Sequence, residues 1–120
     1  MPDVNKADVY RHAATVIVRD GKHEGGLTPA HRSGASLTLF EKALKDTSLP
    51  VCALGACARA EWELYGTLPE DAYDYSFEVD GAGFGFSAAI FNVNDSEDNP
   101  TTAEDIALLL KQRAEEVENG

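Results

Sequence analysis

Apolar residues recur along this 120-residue chain at helical spacing in most segments and at strand spacing in one. From Lys6 to Asp20, Val9, Tyr10, Ala13, Ala14, Val16 and Ile17 fall on one wide arc, with Asp8, Arg11, His12, Thr15 and Arg19 opposite. Asn5 is placed to cap that helix and Gly21 to end it. The stretch from Lys22 to Gly34 holds glycines, a proline and two histidines and reads as a loop. "SLTLFEKALKD", residues 36–46, reads as a short helix, because Thr38 and Glu41 have capping-box spacing and Phe40, Ala43 and Leu44 share a face.

The mid-chain stretch "PVCALGACARAEWELYG" predicts a helix over 51–65, with Pro50 near its first turn and Gly66 past its last. At ~100° per residue, Val51, Leu54, Ala58, Trp62 and Tyr65 form one stripe, and Ala53, Ala56, Cys57, Ala60 and Leu64 another on the opposite side. Such a rod is sandwiched between two layers. Cys52, Arg59 and Glu63 occupy the strip between them, the last two at ion-pair spacing. In "AYDYSFEVD" Tyr73, Tyr75, Phe77 and Val79 alternate with polar residues, and "GAGFGFSAAIFNV" returns as a second strand after a glycine turn. "TTAEDIALLLKQRAEEVE" closes the chain as a helix, with a Thr101–Glu104 capping box and Ala103, Ile106, Ala107, Leu110, Ala114 and Val117 on one face. The expected fold is α+β, one domain over 1–120, with about four helices around the Ala-rich helix plus one antiparallel hairpin; the alternative is all-α.

Composition adds one strong signal. Residues 1–60 carry 6 acidic and 8 basic side chains, a net of +2, while residues 61–120 carry 15 and 2, a net of −13. Such a field repels nucleic acid and acidic membranes and favours basic partners. No run of ~18 apolar residues is present and the start is too polar for a secretory signal, so the expected location is the cytoplasm. Cys52 and Cys57 diverge by roughly 140° around a helix, which disfavours a disulfide between them.

Candidate chemistry is sparse. A cysteine in a helix's first turn feels the dipole's positive end, which favours thiolate, and His23 or His31 from the loop are the histidines placed to serve as its base. The commoner role of a free cysteine is that of a small buried hydrophobe, and His12 has the bland role of pairing with Asp8 across one helical turn. His23, Glu24, His31 and Cys52 have acceptable zinc-ligand chemistry but lack paired spacing, so no metal or other cofactor is expected. "GAGFG" lacks the Lys-Ser/Thr that a phosphate loop needs.

Three segments, "GKHEGG" after the first helix, "CALGACARA", and "NVNDSEDNPTTAEDIALLL", together resemble a family of small uncharacterised actinobacterial and actinophage proteins. Val93 stands where that family typically shows tryptophan before Asn-Asp. The resemblance implies a bacterial or phage origin, a cytoplasmic location and a shared scaffold, and no activity. The leading expectation is therefore a small acidic non-catalytic binding protein, monomer or homodimer, contacting a basic or nucleic-acid-binding protein partner. It binds no nucleic acid or membrane directly. The expected contact residues are Glu70, Asp71, Asp74, Glu78, Asp80, Asp95, Glu97 and Asp98. The alternative is a cysteine-dependent hydrolase or transferase using Cys52 with His23 or His31.

Overall fold

Helix α1 (Lys6–Asp20) begins where the Asn5 side chain accepts the Asp8 N–H, and ends at Gly21, whose φ of 99° suits a residue without Cβ. The structure is a computed structural model and describes residues 4–23, 41–42, 44–70, 72–79, 88–95 and 101–119. Besides α1 these residues form α2 (Ala53–Tyr65), a short α3 (Ile90–Asp95) and α4 (Ala103–Asn119), and residues within 41–45 are helical too. Of the expected Thr38–Glu41 box, Thr38 lies outside the described residues. Helix α1 packs most extensively on α4 and next on α2, burying the apolar arc read from its sequence. Ile106, Leu110 and Ala114 are the buried face of α4. Each large one is worth about 1.5–3 kcal/mol against exposure. No helix among the described residues is long and apolar enough to cross a membrane.

The hairpin is corrected to almost nothing. β1 (Glu78–Val79) pairs antiparallel with β2 (Ala88–Ala89), two residues a side. Ala72–Tyr75 is a single 3-10 turn, and "IFNVND" is helix α3 where a return strand was expected. Spacing explains the second difference: Ile90 and Val93 are both buried, and residues three apart share a helix face but lie on opposite faces of a strand. The Tyr75 ring meets Tyr10 edge-on at 5.7 Å while its hydroxyl reaches Glu61, which the turn permits. The all-α alternative is the better description. A smaller correction concerns α4, whose reciprocal cap is Thr102 with Asp105, one residue beyond the expected pair. Thr101 is drawn away: its hydroxyl donates to the Val93 carbonyl and accepts from Lys22.

Every residue of 51–61 is buried, including Arg59, and Leu64, expected on an apolar stripe, is 43% exposed. Arg59 does not pair with Glu63. Its guanidinium donates to the carbonyls of Leu44, Asp46 and Leu49 at 2.5, 2.7 and 2.8 Å and to Asp20 Oδ2 at 3.1 Å. One buried side chain thus fastens 44–49 and the end of α1 to α2. Arg19 extends the network outward, holding Asp20 and Glu63 each with two hydrogen bonds, and His12 joins Glu63 at 2.7 Å. His12 therefore pairs across helices, while Asp8 pairs with Arg11.

Arg59→Met should cost about 3–5 kcal/mol in urea unfolding, because the Leu44, Asp46 and Leu49 carbonyls lose their donor and Asp20 keeps Arg19 alone. Burial pushes the Asp20 carboxyl up, but Arg19 and then Arg59 more than offset it; Glu63 behaves likewise under Arg19 and His12, so both lie below their ordinary 3.8 and 4.5. Depressed folded-state values mean stability that is present above about pH 4 and is lost as pH falls through those values. In Arg19→Ala the acid transition, followed by far-ultraviolet circular dichroism, should begin at higher pH.

Candidate functional site

The first turn of α2 is where distant segments of the chain meet. Val51 pairs with the extended residues after α1, its N–H donating to Gly21 and its carbonyl accepting from His23 at 2.8 Å. Cys52 is the N-cap, and its Sγ accepts the Gly55 N–H at 3.4 Å. Asn94, fully buried, spans the junction: Oδ1 accepts the Ala53 N–H at 3.1 Å, and Nδ2 donates to the His23 carbonyl and to Asp95. Lys22 Nζ donates to the Thr101 carbonyl and hydroxyl. The Ala53, Gly55 and Ala56 N–H groups are thereby satisfied internally, by Asn94, the Cys52 thiol and the Cys52 carbonyl.

Cys52 is only 5% exposed. Burial pushes its thiol up to about 11, beyond what the Gly55 and Leu54 N–H groups offset, with Asp95 raising it further. Cys57 is buried and raised as well. The His23 backbone lies alongside, but among the described residues no bond joins its ring to Sγ. His31 and Glu24 lie outside the described residues. A nucleophile needs a thiolate in reach of substrate, and this sulfur is a protonated cap.

The expected acidic edge divides. Glu70, Asp74 and Glu78 are exposed, Asp95 is half-buried against Asn94, and Asp71, Asp80, Glu97 and Asp98 lie outside the described residues. The outward face of α4, missed among the expected contacts, adds Glu104, Asp105, Glu115 and Glu116 around Leu108, which is 57% exposed. Its signal was present as the polar complement of the helix's apolar face. A shallow cleft of about 220 Å³ joins the two surfaces, walled by Phe77, Val79 and Leu109 and rimmed by Glu78 and Glu116. Glu61 was also missed; it is buried at the far end of α2, four residues after Cys57 on the apolar stripe.

The chain belongs to a family of unknown function. That family's model, DUF6197, matches residues 1–116. No curated protein and no solved structure matches the chain. Native protein should resist iodoacetamide at about pH 8 and label both cysteines only after denaturation. Cys52→Ser, retaining a capping oxygen, should cost no more than about 1 kcal/mol; rapid native labelling would contradict the buried-cap account.

Proposed function

We propose that this DUF6197 protein is a small acidic non-catalytic binding protein that engages a basic, nucleic-acid-binding protein, its carboxylates standing where phosphates would. One observation carries the reading: the described arginines and Lys22 are bonded within the molecule, and the carboxylates facing out outnumber the exposed lysines, Lys6, Lys42, Lys45 and Lys111. Arg11 bonds to Asp8 and Glu118, Arg19 to Asp20 and Glu63, Arg59 to Asp20, Lys22 to Thr101 and Arg113 to Glu116. Glu70, Glu78, Glu104 and Glu115 are exposed with no such partner among the described residues. Along α4, Glu104 to Glu115 spans about 16 Å, roughly five base-pair rises of duplex. The actinobacterial or phage origin that the three segments imply, a cytoplasmic location, and a single domain acting as monomer or homodimer all suit such an inhibitor. Its buried thiol speaks against the cysteine-enzyme alternative.

The test is capture of a basic partner on immobilised protein. Bound protein should be released by competing duplex DNA and by raising salt from about 50 to about 300 mM. Joint substitution Glu104→Lys, Asp105→Lys, Glu115→Lys and Glu116→Lys should abolish capture with helix content unchanged. Capture indifferent to both DNA and salt would remove the reading.

A further inference from the structure

We propose that the cavity between the start of α1 and the segment 67–75 is a binding site for a protonated amine, with the Glu61 carboxylate as its anionic wall. The cavity holds about 160 Å³ and is lined by Val4, Lys6, Glu61, Pro69, Asp74 and Tyr75. Drug-sized ligands and nucleotides occupy roughly 300–1,000 Å³, so this one suits a short alkylammonium or the end of a lysine side chain. Its chemistry is that of an amine receptor: apolar and aromatic walls around one buried acid.

Glu61 is 6% exposed. Oε1 accepts the Tyr75 hydroxyl at 2.5 Å and Oε2 the Thr67 hydroxyl at 2.8 Å. A carboxylate offers about four acceptor positions, so these two bonds leave about half its capacity open. No cation pairs with it among the described residues, and a buried charge without a partner is costly. Burial, and then the bond to Glu61, pushes the Tyr75 hydroxyl well above its ordinary value, so the phenol keeps its proton. An ammonium already sits at the rim. Lys6 Nζ lies 5.7 Å from the Tyr75 ring centroid and donates to the Asp74 carbonyl at 3.3 Å, without reaching Glu61. The aromatic wall therefore has the geometry of a cation–π contact, and the acid behind it has no cation bonded to it among the described residues. Lys6 opposes an incoming cation, Asp74 and Glu61 favour it, and the local balance remains negative. This site is independent of the α4 face.

The experiment is a titration of the full chain with n-butylammonium, followed by amide shifts at about 300 mM salt to silence surface carboxylates. Saturable shifts should centre on Glu61, Thr67 and Tyr75, and neutral 1-butanol should leave them unmoved. Glu61→Gln should weaken binding at least tenfold. Should that variant fail to fold, Lys6→Met decides, since Lys6 is exposed and removing the rim cation should tighten binding roughly two- to fivefold. The lysine-reversed α4 variant should bind n-butylammonium as the parent does, which separates this proposal from the partner reading. A parallel titration with N-acetyl-lysine methylamide assigns the source: tighter binding than n-butylammonium points to a protein side chain, equal binding to a free amine. Shifts that never saturate, that spread over α4, or that persist unchanged in Glu61→Gln or fail to strengthen in Lys6→Met would overturn the proposal.

Discussion

A helix buried along 51–61 obliges its surroundings to answer every polar group it carries inward, and most of the architecture follows from that obligation. Alanine, glycine and cysteine keep α2 slim enough for neighbours to close over it. The price is that its free N–H groups and two ionic side chains lie out of water. An unsatisfied buried group costs about 1–3 kcal/mol, more if charged, so each must recruit a partner. The buried polar residues named among the described ones are Arg59, Glu61 and Asn94, and all three belong to α2 or bond to it. Asn94 ties α3 and the residues after α1 to its start, Arg59 ties 44–49 and the end of α1 to its middle, and Glu61 ties Thr67 and Tyr75 to its far end.

Seen this way, the three segments that mark the chain have a structural explanation. "GKH" supplies backbone partners for Val51, "CALGA" supplies the self-capping thiol and the close-packed turn, and "NVND" supplies the bridging amide. They converge because one helix end needs them. The third segment, "NVNDSEDNPTTAEDIALLL", also runs into α4, so one stretch of chain supplies both the bridging Asn94 and the exposed Glu104 and Asp105.

What was legible in the sequence was the amphipathic part. Helices α1, α2 and α4 have long runs in which burial alone sets the pattern, and Asn5 and Gly21 cap as their chemistry suggests. Arg59, Glu61 and Asn94 were illegible for the same reason: a polar residue on a wheel reads as solvated until the partner that sequesters it, 15, 14 or 41 residues away, is known. The hairpin failed because Tyr73, Tyr75, Phe77 and Val79 alternate convincingly while the aromatic ring of Tyr75 answers to Tyr10 and Glu61, not to a neighbouring strand. Cys52 is expected in the first turn and lies one position earlier as the cap; its burial, which no helical wheel shows, is what removes it as a nucleophile.

The placement of charge on α4 is not what helix stability alone would select. Glu104 and Asp105 in the first turn suit the positive end of the dipole, and Asp105 closes the cap on Thr102. Glu115, Glu116 and Glu118 lie toward the opposite end, where carboxylates oppose the dipole by about 0.3–1 kcal/mol each and where the last turn has no basic residue. Arg11 and Arg113 neutralise Glu118 and Glu116, leaving Glu115 with no counter-ion among the described residues. A helix tuned only for stability would carry lysine there. Carboxylates therefore stand at both ends of the same exposed face, one end against its own dipole, with the exposed Lys111 between them in sequence.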